Sequence, residues 1–223
     1  MTRLSSVIGA VLVMTCTSWL LPAPAAADLI LISPTDDDRG ADVMPVDNNF
    51  GCCFFDPGFA TVSLNAFMQE AGGLEFDISS LPADALITSV TLTLFMANLG
   101  AAENGVLHGF AGNGTVEGAD LGVSNLLLSF VVPAAGLMFQ QDFDVATAFL
   151  QGLVDAGEGF AGFTLRNETP GGGAYNFFTV DSPVAALHPV LAIEYQTAVP
   201  EPASLMLLGA GLTGLCLRLR RRM

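Results

Sequence analysis

Ile87-Thr88-Ser89-Val90-Thr91-Leu92-Thr93-Leu94-Phe95-Met96-Ala97 is the stretch that decides the fold class. Val90, Leu92, Leu94 and Met96 fall on one parity, Thr91, Thr93 and Phe95 on the other. An extended chain sends alternate side chains to opposite faces, so it separates these two sets cleanly, whereas a helix would mix them. Shorter runs of the same kind lie on either side, divided by Gly, Pro, Asn and Asp. They cover 29–33, 60–65, 73–77, 105–110, 125–132, 137–143, 159–166, 175–180 and 190–195. Strands at this spacing suffice for two packed sheets. One helix interrupts them at 145–155, where Val145, Phe149 and Leu153 recur every four residues. Asp144 is placed to cap it and Gly157 to end it. The sequence therefore predicts an all-β chain: a single jelly-roll-like β-sandwich with one short helix, flanked by an N-terminal signal helix and a C-terminal transmembrane helix.

Charge narrows the function. The chain has 223 residues, no lysine, and 22 acids against seven arginines. Only Arg39 and Arg166 fall within residues 28–198, whereas Glu201 is the sole acid outside it. Nucleic acids are held by clustered Lys and Arg, so a nucleic-acid partner is excluded. Calcium or a polymer matrix suits this charge better. Residues 28–198 are also numerous enough to bury a core without metal or disulfide staples.

Both ends read as addresses. Arg3, the apolar Val7 to Leu21 and small residues at Ala25 and Ala27 before Asp28 form a secretory signal with cleavage between Ala27 and Asp28. A retained membrane anchor is the competing reading. At the other end Pro200-Glu201-Pro202 precedes an apolar run and then Arg218, Arg220, Arg221 and Arg222. Ala203 to Leu217 spans 15 residues, about 22 Å as a helix, which is short for a hydrocarbon core near 30 Å. Such a segment holds a protein at the inner membrane with its arginines retained in the cytoplasm. The prolines keep the preceding backbone extended. Motif, helix and arginine cluster in this order resemble the PEP-CTERM sorting signal of Gram-negative bacteria. The resemblance implies an exosortase as processing partner, transient membrane contact through the C-terminal helix, and delivery to the envelope, the surface or an exopolysaccharide matrix. The chain divides accordingly into 1–27, 28–198 and 199–223.

A second resemblance covers scattered patches of 74–196. Leu74-Glu75-Phe76-Asp77-Ile78-Ser79-Ser80-Leu81-Pro82 with the strand after it, and Phe143-Asp144-Val145 with Phe160-Ala161-Gly162-Phe163-Thr164-Leu165-Arg166, are similar to DNRLRE-type sandwich domains and carbohydrate-binding-like modules. It implies a sandwich fold and a glycan context.

Candidate chemistry is sparse. The chain contains two histidines, His108 and His188, and neither lies in a catalytic motif. No catalytic residue is assigned and no cofactor is required. The competing reading is a hydrolase or lyase using paired carboxylates. Calcium is the one cation the composition favours. Its candidate ligands are Asp36, Asp37, Asp38 and Asp42 in an acidic loop. The segment 112–121 superficially resembles half of an EF-hand, but Gly109 and Ala111 would occupy ligand positions. Glycan binding calls for exposed aromatic faces. Trp19 leaves with the signal peptide, so Tyr175 and Phe177 are the candidate platforms, with Phe178 and Tyr195 beside them. Cys52 and Cys53 are the mature cysteine pair in an oxidising compartment. Three states stay open for them: a vicinal ring, a bridge to another molecule, or buried thiols.

Overall fold

The computed structural model describes residues 27–43, 52–55, 58–64, 68–98, 100–134, 136–168 and 173–197. The predicted signal and sorting helices fall outside them. Among the described residues no helix is long and apolar enough to cross a membrane. Residues 27–197 form one compact unit.

The strands are β1 (Asp28–Ile32), β2 (Asp36–Val43), β3 (Cys52–Phe55), β4 (Phe59–Leu64), β5 (Met68–Asp77), β6 (Ala85–Asn98), β7 (Glu103–Ala111), β8 (Leu126–Val132), β9 (Gly136–Asp144), β10 (Phe160–Asn167), β11 (Ala174–Phe178) and β12 (Val190–Thr197). Two helices join them, α1 (Gly118–Leu121) and α2 (Thr147–Ala156). Every strand pair is antiparallel. One half of the sheet runs β1-β12-β6-β9 and the other β3-β2-β5-β10-β7-β8. β11 and β4 carry the hydrogen bonding from the far end of β6 to the start of β5. The sheet thus curls on itself and its halves face each other as a jelly-roll-like sandwich.

The long strand β6 supplies the centre of the core. Val90, Leu92, Leu94 and Met96 are all 0% exposed, and they belong to one apolar cluster with Leu74, Phe76, Phe163 and Leu165 of the opposite half. Phe163 meets Phe76 edge-to-face at 5.8 Å and Phe149 at 5.7 Å. At the outer margins Phe130 of β8 meets Phe143 of β9 at 4.8 Å, so the two halves also close along this side.

β6 begins at Ala85, where helix α2 takes over part of a strand's role. Gln151 Oε1 accepts the Ile87 N–H at 2.9 Å and its Nε2 donates to the Ala85 carbonyl at 3.1 Å. Gln151→Ala is therefore expected to lower stability by about 1–2 kcal/mol, read by urea unfolding, with faster amide exchange at Ile87. The helix stops at Gly157, whose left-handed φ of 74° suits a residue without Cβ. Its start corrects the sequence reading: Ala146 is the N-cap, while Asp144 is engaged in β9 opposite Thr91.

Two strands, β2 and β3, were not read from the sequence. The Asp36–Asp38 stretch is the first part of β2 and not an acidic loop. Its backbone groups pair with Glu75, Leu74 and Gly73 of β5, which offsets the low strand preference of aspartate.

Candidate functional site

The solvent-facing side of β6, β11 and β4 carries a row of aromatics. On β11, Tyr175 and Phe177 are both 0% exposed, which fixes Asn176 and Phe178 as the residues of the opposite face. Phe178 sits directly opposite Phe59 of β4. Phe177 sits opposite Met96 of β6, so Phe95 is the neighbour of Phe178 on the other side. Phe59 is 46% exposed, and Phe95 and Phe178 are half-buried. With strands about 4.8 Å apart, the row crosses about 10 Å of sheet.

Polar groups flank this row. On one side Asn176 lies between Ala97 and Thr61, with its Oδ1 buried and without a hydrogen-bond partner. On the other side Thr93 Oγ1 donates to Asp142 Oδ1 at 2.8 Å, and Gln140 Nε2 donates to the same oxygen at 2.9 Å. The Asp142 carboxylate is thereby held in place on an exposed surface, beside Phe95, which pairs with Gln140.

A second polar cluster lies on the outer side of the other half-sheet, beneath the segment that joins β7 to α1. Glu75 of β5 is 0% exposed. Its Oε2 accepts the N–H of Asn113 at 3.0 Å and that of Gly114, and its Oε1 has no hydrogen-bond partner. A Cβ on Gly112 would stand 2.5 Å from the Glu75 carboxyl carbon, so only glycine lets the loop close over it. Asp36 Oδ2 accepts the Val116 N–H at 2.7 Å, and Asp120 Oδ2 accepts that of Glu117 at 2.8 Å. Burial pushes the Glu75 carboxyl above its ordinary range. The neighbouring charges of Asp120 and Asp36 push the same way, against the two backbone donors. Two acidic stretches far apart in sequence thus meet around a residue that sequence reading passed over. No local signal marked Glu75 as special, because its burial is created by a loop more than 35 positions away.

The structure corrects the glycan-platform assignment. Tyr175 and Phe177 are core residues: the Tyr175 hydroxyl donates to the Arg166 carbonyl at 3.1 Å, and Phe177 fills the space above Gly72, where a Cβ would come within 2.4 Å of its ring. Of the aromatics weighed in that segment, Phe178 is the outward one, one residue from the expected position and hence on the opposite face.

The proposed calcium ligands do not share one face. Asp37 is 2% exposed and its Oδ2 accepts the Val180 N–H at 2.6 Å, on the opposite side of β2 from Asp36 and Asp38. Asp42 lies on β2 opposite Gln69, with its side chain outside the described residues. Among the described residues no group of three or more His, Cys, Asp or Glu side chains is placed to hold a metal ion. Cys52 and Cys53 open β3, where Cys52 pairs with Ala41, and their side chains also lie outside the described residues. Asp28 is the first residue of β1, opposite Tyr195, so cleavage after Ala27 would spare the strand pairing. Ala25, Pro200, Glu201, Pro202, Arg218, Arg220, Arg221 and Arg222 lie outside the described residues.

The histidines are separated. His108 is 7% exposed on β7. Burial, with the nearby Arg166 charge, pulls its pKa down to about 4 against a hydrogen bond to the Ser124 backbone, so its ring is neutral at physiological pH. His188 Nε2 lies 2.9 Å from the Ser182 carbonyl.

No curated protein matches the chain. Among solved structures, a xylan-binding module, CBM15, aligns with 78% of this chain and 100% of its own at 8% identity and a TM-score of 0.40. The CBM35 of Paenibacillus barcinonensis covers 77% of this chain and 99% of its own at 10% identity and 0.30. The Tobacco streak virus coat protein covers 81% and 92% at 8% identity and 0.30. Scores this low, shared by proteins of such different roles, carry no ligand over to this chain. Residues 198–222 match the PEP-CTERM protein-sorting motif. The C-terminal segment is a PEP-CTERM sorting signal, which addresses the chain for exosortase-dependent export to the envelope or surface of a Gram-negative bacterium.

Proposed function

We propose that the mature protein is a non-catalytic component of the cell envelope or extracellular matrix, processed by an exosortase and holding exopolysaccharide through its sandwich domain. The sorting signal at 198–222 behind an acidic domain carries this reading. The polysaccharide-hydrolase alternative needs carboxylates that reach a substrate. The acids gathered around Glu75 centre on a residue that is fully buried and engaged with backbone N–H groups. His108, the one histidine near that half-sheet's polar face, is buried and neutral.

The sorting step is tested by expressing the chain in an exosortase-carrying Gram-negative host, beside a variant with Pro200→Ala, Glu201→Ala and Pro202→Ala. The wild type is expected outside the inner membrane with its C-terminus cut near the motif, as read by mass spectrometry. The variant is expected intact in the inner-membrane fraction. Wild type recovered whole in the inner membrane would overturn the reading. Retention of host exopolysaccharide by the released protein, with and without calcium, tests the matrix role.

A further inference from the structure

We propose that the outward row Phe59, Phe178 and Phe95 is the stacking platform of a binding face for neutral polysaccharide, its chain lying across β4, β11 and β6. This rests on the polysaccharide-holding function above and names where and what the domain would bind.

Three observations carry it. Register places the three phenylalanines side by side on one face of adjacent strands, although the opposite parity of each strand is filled by core residues: Ala60, Phe177 and Met96 are 0% exposed. The core has no need of the outward set, and Phe59 is left 46% exposed. Flat aromatic rings at neighbouring positions offer the apolar faces of sugar rings a surface about as long as a disaccharide.

Hydrogen-bonding groups lie along one margin. The Asp142 carboxylate, held by Thr93 and Gln140, is an exposed acceptor for sugar hydroxyls. A few fixed polar groups beside an apolar surface are what orient an uncharged ligand.

Charge selects between glycans. The domain's two arginines sit on the other half-sheet, Arg39 on β2 and Arg166 on β10, and Arg166 is 5% exposed with its guanidinium donating to the Val123 carbonyl. Among the described side chains a uronate or sulfated chain would find no cation on the aromatic face and would meet Asp142 instead. Neutral chains such as glucans, xylans or mannans meet no such repulsion.

The test uses the exported, processed protein in affinity electrophoresis through gels containing a neutral glucan, xylan or mannan, or alginate or polygalacturonate. Retardation by at least one neutral polymer and by neither acidic one is expected. Phe59→Ala with Phe178→Ala should weaken that binding about tenfold or more, and Leu86→Ala, an exposed apolar control at the far end of β6, should leave it unchanged. A thermal melt of each variant separates lost binding from lost fold. Neutral binding that survives the double substitution would overturn the site. Binding to acidic polymers alone would overturn the specificity while sparing the matrix reading, whereas no retention by any polymer would sink both. Self-association abolished by Phe59→Ala, with no glycan effect, would reassign the face to a second copy of the chain.

Discussion

Tyr175→Ala is expected to destabilise the domain by about 4 kcal/mol and to lower its melting temperature by about 10 °C. The ring is wholly buried, packs edge-to-face against Phe130 at 6.1 Å and anchors its hydroxyl on the Arg166 carbonyl. Removing it opens a cavity in the region where β11 links the two half-sheets. Tyr175→Phe should cost only about 1 kcal/mol, the net worth of one hydrogen bond. A sugar platform would give the reverse signature, lost binding with an unchanged melt. The pH dependence has a definite sign. Burial, with the nearby Glu103 charge, raises the Tyr175 pKa well above its ordinary value of 10.0. The folded state therefore holds the phenolic proton more tightly than the unfolded chain. The resulting stabilisation is complete below about pH 10 and is lost as pH climbs from there toward the folded value. Denaturant titrations at alkaline pH should show this slope in the wild type, and Tyr175→Phe should lack this residue's share of it.

Glu75→Ala is the second large effect, about 3 kcal/mol. It strips the acceptor from the part-buried Asn113 and Gly114 N–H bonds, and a donor left unpaired away from water costs about 1–3 kcal/mol. The loss should concentrate in 112–121, so amide exchange there is expected to quicken before that of β6. Glu75→Gln separates acceptor from charge, because the amide oxygen still accepts while the negative charge is gone. The raised folded pKa means that the native state binds more protons than the unfolded chain in the window above the ordinary value of 4.5. Wild-type stability should therefore fall as pH rises from there through the folded value. Glu75→Gln should flatten that slope and match or exceed wild type at neutral pH. A Gln variant as unstable as Ala at pH 7 would show that the carboxylate is needed in its charged form.

Much of the fold was legible because strand periodicity is local. Ten strands were read from runs of alternating or continuous apolar residues, and the structure places strands at all of them. β6 was clearest, because its Thr and Leu parities never cross over 90–94. Helix α2 was found from its four-residue recurrence and its terminal glycine. β2 was missed because Asp36, Asp37 and Asp38 carry no apolar parity, so their strand conformation comes from β5 and from the N–H groups of Val116 and Val180. The expected calcium loop dissolved with it, since a strand divides neighbouring acids between two faces. The glycan platform failed by a single residue. In Tyr-Asn-Phe-Phe both parities contain an aromatic, and hydrophobicity could not choose between Phe177 and Phe178.

What the sequence determined by itself is whatever depends on neighbours within a few residues: the places of ten strands, helix α2 and the sorting address at the C-terminal end. The tertiary structure decided which parity of β11 faces water, that three phenylalanines from β4, β6 and β11 stand in one row, and that Glu75 is sealed beneath a loop from beyond β7. These outcomes depend on pairing between segments tens of residues apart. Burial and the field around a carboxyl group are properties of that pairing and not of the local chain.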